Sequence, residues 1–302
     1  MKISSWLTRF ALRHPFIRYH VAFDIPLEIG SQTLKIPTMW GVGLSNFHST
    51  EPQIEWLLEQ LLQRFSGSFV DVGANIGQTL LKVLRADKNR RYIGFEVHPF
   101  CSHYLDHLIK INQLQNCVIF PVGLASKAGV LPLLSSSPSD ASATTVEGFR
   151  PTKFYSHRSH AITVRGDDIF AWMAEPAVSV IKIDVEGGEI DVIEGFEKTI
   201  LKFRPCLIVE VLPSAHVLED ISIDEDERLA ISENRGQRVA RLLAFVGRAR
   251  YTIFRVLPSK TLVNFKSFEL DGKFDLDLCN YLLVPTEQLS RVEEMISKSN
   301  DG

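Results

Sequence analysis

The clearest periodic pattern in the sequence is a helical one between residues 50 and 67. Apolar side chains recur there at the three- and four-residue spacing of one helix face. They are Ile54, Leu57, Leu58, Leu61, Leu62 and Phe65. Thr50 and Gln53 have the spacing of a capping box, and Pro52 suits a first helical turn. The pattern therefore predicts a helix that begins at this point.

Beyond residue 67, short apolar runs of strand length alternate with segments of helical period. The expected strands are 68–72, 92–96, 118–122, 161–164, 178–183, 206–211, 251–257 and 281–284. Repeated β-α-β units are typical of a mostly parallel sheet with helices on both faces and right-handed crossovers. We therefore expect an α/β protein with a doubly wound, mostly parallel, seven-stranded sheet.

The chain is expected to hold one domain with flanking segments. We assign residues 1–49 to an N-terminal extension, 50–290 to the domain and 291–302 to a tail. Residues 213–250 form a charged helical insertion before the last two strands. Residues 1–20 are basic and partly apolar, and we expect a helix packed on the protein. Weak peripheral membrane association is the alternative for that segment.

Within the insertion, an amphipathic helix is indicated by Val239, Leu242, Leu243 and Val246. Arginines lie on the other side of this helix, which we expect to be its polar face. They are Arg235, Arg238 and Arg241. One hypothesis is that they contact an anionic glycan or a lipid-linked sugar.

Charge and cysteine content disfavour several classes of protein. The 302 residues include 33 Lys+Arg and 36 Asp+Glu, for a net charge of −3. This balance disfavours a dedicated nucleic-acid binder. The four cysteines lie far apart and match no zinc-binding spacing, which disfavours a disulfide scaffold and suits a reducing compartment. Because we also identify no membrane span or secretory segment, we expect a cytoplasmic enzyme.

The first candidate site follows the strand expected at 68–72. Ligands of open parallel sheets bind outside the carboxyl ends of the strands. Residues 71–77 (DVGANIG) form a turn there, in which Gly73 allows a sharp bend and Gly77 allows close entry of a helix. Glu96 ends the next strand about 20 residues on, where a carboxylate can accept hydrogen bonds from a ribose diol.

This turn also indicates the kind of ligand. A dinucleotide fold uses G-x-G-x-x-G to hold a pyrophosphate, but here Asn75 replaces the middle glycine and Asp71 opens the turn. A carboxylate repels a pyrophosphate and can pair with an amino group. The pattern suits S-adenosylmethionine, which carries a sulfonium, an ammonium and a ribose but no phosphate. An NAD(P)-dependent oxidoreductase is the less favoured alternative.

Acidic residues follow the most apolar strand, at 178–183. Asp184 and Glu186 lie at its mouth, where a carboxylate without a partner is costly. Either could act as general base on an acceptor hydroxyl, or the pair could hold a divalent cation. For Glu189 we favour a role at the N-terminus of the following helix. His98 and His216 are further candidates for the base, with packing or surface roles as the alternative.

These motifs resemble the FkbM family of methyltransferases. The resemblance rests on residues 71–77, 94–96, 181–189 (IKIDVEGGE) and 204–210, and it extends over about residues 50–212. The segment 181–189 is the most specific, because few other class I methyltransferases end this strand in D-x-E-G-x-E. The resemblance implies a Rossmann-like domain, S-adenosylmethionine as methyl donor, and O-methylation of a hydroxyl on a sugar, glycan or natural product.

The resemblance also implies roles for individual residues. On the donor side these are Asp71, Gly73, Asn75 and Gly77 for the methionine part, Glu96 for the ribose, and Gly123 and Leu124 for the adenine. On the acceptor side they are Asp184 and Glu186, with Glu210 as a further candidate. The family commonly has Leu-Asp where this chain has residues 165–167 (RGD), and the insertion has no evident counterpart. A binding protein that keeps a donor pocket without turnover is a further alternative.

Overall fold

The computed structural model of the protein describes residues 22–39, 41–48, 50–137, 140, 142–213, 223–268 and 275–293. Two of the expectations above therefore fall outside the described residues. They concern the N-terminal helix at 1–20 and the candidate base His216.

The secondary structure alternates as the sequence pattern predicts. The strands are β1 (Phe23–Ile29), β2 (Gln32–Thr38), β3 (Ser68–Val72), β4 (Tyr92–Phe95), β5 (Cys117–Phe120), β6 (Gly123–Leu124), β7 (Gly129–Ser135), β8 (His157–Val164), β9 (Val178–Ile183), β10 (Cys206–Glu210), β11 (Tyr251–Leu257), β12 (Thr261–Phe265) and β13 (Asn280–Pro285). The helices are α1 (Pro52–Arg64), α2 (Gln78–Ala86), α3 (Pro99–Ile111), α4 (Gly166–Met173), α5 (Glu189–Gly195), α6 (Glu197–Phe203) and α7 (Glu225–Ala249).

The central sheet has the strand order β12-β11-β13-β10-β9-β3-β4-β5. β5, β4, β3, β9 and β10 run parallel to one another, and β13 is antiparallel to both of its neighbours. The expected doubly wound, mostly parallel α/β fold is confirmed. In the described part of the chain this sheet has eight strands rather than seven, because β12 folds back on β11 as an antiparallel neighbour.

Two smaller sheets flank the central one. β1 and β2 form an antiparallel hairpin whose Leu27 and Ile36 belong to the same apolar core as α1. β6, β8 and β7 form a three-stranded sheet, of which the sequence analysis anticipates only the end of β8. The apolar run of β7 contains Pro132 and borders a Ser-rich segment, and neither feature is typical of a strand.

Helices cover both faces of the central sheet. Side chains of α1, α2 and α3 form one apolar core, and those of α4 to α7 form the other. Every residue of β9 is buried, as expected for a strand covered on both faces. Val180 faces the first core and Ile181 the second, so alternation along the strand turns Lys182 toward the α1 side.

Helix α1 begins at Pro52, but the expected capping box does not form. The N-cap is Glu51, which has the left-handed value φ = 52° and makes no side-chain capping bond. The Gln53 amide instead donates to the Asp277 carboxylate at 3.3 Å. The carboxylate of Glu51 is turned to another partner, described below.

Helix α7 lies within the segment expected to be a helical insertion, and three of its arginines contact the protein itself. Arg235 is 2% exposed and donates to the backbone carbonyls of Phe149 and Pro213, at 3.0 and 2.9 Å. Arg238 and Arg241 pair with acidic side chains of α5. These ion pairs engage part of the arginine face, while the Arg241 side chain is still 44% exposed. Contact of this face with an anionic glycan or a lipid-linked sugar stays a prediction. Within the described residues, no helix is long and apolar enough to cross a membrane.

A buried arginine fixes the junction between α1 and β3. Arg90 is 7% exposed, and its guanidinium donates to the carbonyls of Leu62, Phe65 and Gly67. These carbonyls lie at or beyond the C-terminus of α1, where backbone acceptors lack helical partners. Arg90 therefore sets how the helix leads into the central strand.

We expect Arg90→Met to lower the free energy of unfolding by about 3 kcal/mol, because it leaves buried carbonyls without donors. Urea denaturation measures the change. Arg91→Met is the matched control, since its side chain is 38% exposed and its ion pair with Glu175 lies near the surface. The control should cost less than about 1 kcal/mol. Equal losses in the two variants would contradict this role of Arg90.

Candidate active site

A cavity of about 830 Å³ opens at the carboxyl ends of β3, β4 and β9. This volume is in the range of sites for small-molecule ligands. The sequence-predicted residues that line it are Gly73, Asn75, Glu96, Gly123, Leu124, Asp184, Glu186 and Glu210. Asp71 and Gly77 do not lie in its wall. The structure thus brings most of the candidate residues together around one space.

The turn after β3 is in backbone contact with the turn after β9. Gly73 has φ = 87°, and a Cβ atom there would lie 1.8 Å from the carbonyl oxygen of Asp184. In addition, the Asp184 amide donates to the Val72 carbonyl at 3.0 Å. Only glycine can occupy position 73 without moving the Asp184 backbone.

The same turn leads into α2 and places the start of this helix close to α3. Gly77 is the N-cap of α2 with φ = 84°, and a Cβ atom there would lie 2.8 Å from the side chain of Leu105. The role of Gly77 is therefore helix packing behind the cavity.

Asn75 also has a positive φ, of 44°, which asparagine tolerates better than most residues. Its buried side-chain oxygen has no hydrogen-bond partner in the described part of the protein.

Glu96 is held by the backbone at the end of β4. One carboxylate oxygen accepts from the Asn75 amide and the other from the His98 amide, both at 2.6 Å. Burial raises the pKa of Glu96 to about 7, although these two hydrogen bonds lower it. Because each carboxylate oxygen can accept a second hydrogen bond, the group can also bind two ligand hydroxyls.

Asp71 lies behind the cavity wall. Its carboxylate accepts a 2.5 Å hydrogen bond from the Tyr92 hydroxyl, and it is fully buried. Burial raises its pKa to about 6, against the opposing charge of Lys182. This placement argues for a structural and electrostatic role, in contrast to the ligand contact that the sequence analysis anticipates.

A lysine that the sequence analysis does not single out lies at the floor of the cavity. The Lys182 ammonium is bound to the Asp184 carboxylate at 2.6 Å, and their side chains are 4% and 30% exposed. Burial alone would raise the pKa of Asp184, but the Lys182 ammonium lowers it overall. The available sequence signal is one charged residue within the otherwise apolar strand β9.

Glu210, at the end of β10, is in contact with this pair through Asp184. Burial and the negative charge of Asp184 raise the pKa of Glu210 well above its ordinary value. The Glu210 side chain also hydrogen-bonds to Asp184. The corner therefore combines two hydrogen-bonded carboxyl groups with one fixed ammonium. We call Lys182, Asp184 and Glu210 the acid corner.

Glu186 is engaged by a second buried cation. Its carboxylate binds the Arg150 guanidinium at 2.5 Å, and the two side chains are 11% and 8% exposed. The Thr144 hydroxyl donates to the Glu186 backbone carbonyl at 2.7 Å. Glu186 thus ties the segment that carries Arg150 to the turn after β9. Arg150 lies in a segment without periodic pattern, which gives no sequence signal for this role.

Two other acids act at helix starts. Glu189 accepts from the Gly187 amide at 2.9 Å at the beginning of α5, as the sequence analysis favours. Asp167 accepts from the amide and the hydroxyl of Thr199, both at 2.9 Å, in the first turn of α6. Among the described residues, no group of three or more His, Cys, Asp or Glu side chains is arranged to hold a metal ion.

Comparison with known proteins gives a consistent result. Residues 71–238 match the model of the FkbM methyltransferase domain. The methyltransferase sdnD of Sordaria araneosa is 24% identical over 199 residues, which are 56% of this chain and 75% of that protein.

The solved methyltransferase structures are less similar to this chain in sequence. The FkbM methyltransferase of Methylobacillus flagellatus KT has 16% identity and a TM-score of 0.45, over 75% of this chain and 47% of that chain. This chain therefore spans about half the length of that protein. The SAH-bound methyltransferase PaMTH1 of Podospora anserina has 10% identity and a TM-score of 0.44, over 79% and 80% of the two chains.

The family match covers more than half of the chain, and it includes the turn after β3, the end of β4 and the acid corner. It confirms the resemblance that the sequence motifs indicate. The chain belongs to the FkbM family of methyltransferases.

Proposed function

We propose that the protein transfers a methyl group from S-adenosylmethionine to a hydroxyl group of a sugar, glycan or natural product. The observation that carries this proposal is one cavity with two chemically distinct ends. One end is the backbone-held carboxylate of Glu96 beside the glycine turn. The other is the acid corner, with its ionised Asp184 beside a buried ammonium.

The residues present fit the methyl donor. Glu96 can accept hydrogen bonds from both ribose hydroxyls, and Gly123 and Leu124 supply a small, partly apolar wall for the adenine. The unpartnered oxygen of Asn75 is a further acceptor beside the turn. Residues 73–77 carry no cation that would hold a pyrophosphate. When bound, S-adenosylmethionine supplies a methyl group activated by a positively charged sulfur.

The acid corner suits an uncharged hydroxyl acceptor. The Lys182 ammonium balances the Asp184 carboxylate, and burial with the negative charge of Asp184 raises the pKa of Glu210, which favours its uncharged form. An acceptor hydroxyl can donate a hydrogen bond to Asp184, which turns an oxygen lone pair toward the cavity. Asp184 then takes the proton as the oxygen loses it. Its lowered pKa makes it a weak base, so orientation of the acceptor is its larger contribution.

The donor class is tested by calorimetric titration with S-adenosylhomocysteine, with NADH as the control. We expect micromolar binding of S-adenosylhomocysteine and none of NADH. Folded protein that is free of copurified ligand and does not bind S-adenosylhomocysteine would contradict the proposal.

Glu96→Gln should weaken S-adenosylhomocysteine binding by about ten- to a hundredfold, because a charged acceptor of two hydrogen bonds is lost. The same titration measures the effect. Glu175→Gln is the matched control, since Glu175 is 9% exposed, close to the 7% of Glu96, but binds Arg91 and Ser68 near the amino ends of the strands. Its affinity should stay within about twofold of wild type. Equal weakening in both variants would refute the assignment of Glu96.

Binding of S-adenosylhomocysteine should also depend on pH. Burial raises the pKa of Glu96 to about 7, and the ribose hydroxyls bind its ionised form. As pH falls through 7 the carboxyl takes up a proton, so affinity at pH 6 should be about tenfold lower than at pH 8. Titrations across this range in wild type and Glu96→Gln measure the difference. The same pH dependence in both proteins would rule out Glu96 as its source.

Asp184→Asn should lower turnover by about a hundredfold or more and change the dissociation constant of S-adenosylhomocysteine by less than about threefold. The amide cannot take the proton of the acceptor. Turnover is measured as transfer of labelled methyl to a hydroxylated acceptor that the wild type methylates. Glu186→Gln should have a smaller effect on turnover, because Arg150 already occupies Glu186. A larger loss in Glu186→Gln would assign the base to Glu186.

A further inference from the structure

Glu51 has an unusual conformation for which the fold itself gives no reason. It precedes α1 and lies outside the segment that matches the family model. Its φ of 52° is in the left-handed region, which is unfavourable for a residue with a Cβ atom. Short polar side chains such as Asp or Ser commonly cap a helix from this position, and the longer Glu51 side chain makes no such bond. Something other than helix capping therefore determines where this carboxylate points.

The Glu51 carboxylate is presented to the cavity. One of its oxygens accepts from the Lys82 ammonium at 2.8 Å, and the side chain is 33% exposed. The other oxygen has no hydrogen-bond partner among the described residues. Glu51 lines the cavity together with Gln78, which lies one turn before Lys82 on α2. Lys82 thus anchors one oxygen and leaves the second open.

The surroundings of Glu51 favour a cationic group at that open oxygen. Both nearby ammonium groups already have partners, since Lys82 binds Glu51 and Lys182 binds Asp184. The negative charge of Glu51 also interacts electrostatically with the acid corner, where it contributes to raising the pKa of Lys182 and of Glu210. A carboxylate with a free lone pair in a partly buried cavity is a strong acceptor for an N–H of a positively charged ligand group.

The position of Glu51 also suits the amino-acid end of the methyl donor. The turn of residues 73–77 lies between Glu96 and the first turn of α2, so a ligand whose ribose binds Glu96 can extend past Asn75 toward Gln78. The sequence pattern predicts that a carboxylate pairs with the ammonium group of the donor, and it indicates Asp71 as that carboxylate. Asp71 lies behind the cavity wall, bound to Tyr92. Glu51 is a carboxylate at this end of the cavity.

We propose that Glu51 binds the α-ammonium group of S-adenosylmethionine and of S-adenosylhomocysteine. The assignment rests on the proposed function, because it places a group of that donor. The competing interpretation is that Glu51 only neutralises the buried ammonium of Lys82. The two interpretations differ in whether Glu51 contributes to the affinity for the amino-acid end of the ligand.

The experiment compares two ligands that share an adenosine and a sulfur atom. S-adenosylhomocysteine has the amino-acid end, and 5′-methylthioadenosine lacks it. Dissociation constants for both are measured on wild type and Glu51→Gln by calorimetry, with displacement of S-adenosylhomocysteine used for the weaker ligand. We expect Glu51→Gln to weaken S-adenosylhomocysteine by about ten- to a hundredfold and to leave 5′-methylthioadenosine within about twofold.

Glu55→Gln is the matched control. Glu55 lies on the first turn of α1 and pairs with Arg85 of α2 at 2.7 Å, so it bridges the same two helices as Glu51 but does not line the large cavity. It should change neither dissociation constant by more than about twofold. If Glu51→Gln weakens both ligands equally, or weakens neither, the assignment is overturned.

Failure of the proposed function would look different, because wild type itself would not bind S-adenosylhomocysteine. Loss of the Glu51 charge leaves the Lys82 ammonium without its partner and could prevent folding. The double variant Glu51→Gln/Lys82→Met removes both charges and covers that case. It should show the same selective weakening of S-adenosylhomocysteine, and an unchanged ratio of the two dissociation constants would overturn the assignment.

Discussion

The candidate active site depends on the contact between the turn after β3 and the turn after β9. At Gly73 the two backbones approach so closely that a single added Cβ atom would meet the Asp184 carbonyl. These strands are neighbours at the centre of the sheet, and both are buried on their two faces. The contact therefore sets the distance between the proposed donor site and the acid corner. Methyl transfer requires that kind of fixed spacing, since most of the rate gain comes from holding two reactants together.

The fold follows from the sequence wherever burial imposes a clear pattern. The central strands are mostly apolar runs and α1 has a regular apolar face, so both could be assigned from the sequence. β12 could not, because a short strand at the edge of a sheet needs no continuous apolar run. β7 could not, because Pro132 interrupts its apolar run. The partners of the α7 arginines could not be predicted for a related reason. Their periodicity marks a polar face, but that face packs on an acidic one, and charge pairing of this kind is invisible to a pattern based on hydrophobicity.

The residues of the site divide in the same way. Gly73, Glu96 and Asp184 follow strands directly, so strand position and residue type were enough to select them. Arg150 and Glu51 could not be selected, because each is defined by a partner distant in sequence or by a backbone conformation. Lys182 did have a sequence signal, as the one charged residue of β9. Asp71 was selected from the sequence but does not line the cavity. Its place next to the glycine turn suggests a ligand contact, whereas strand alternation directs its side chain toward Tyr92.

In the proposed complex, one cavity holds the methyl donor in a defined direction, with its ribose at Glu96 and its reactive end toward the acid corner. A crystal structure of the protein with S-adenosylhomocysteine would show this direction. We expect ribose hydroxyls within hydrogen-bond distance of the Glu96 carboxylate, the adenine beside Gly123, and the sulfur on the side of Asp184. A ligand whose ribose lies away from Glu96, or whose adenine occupies the acid corner, would contradict it.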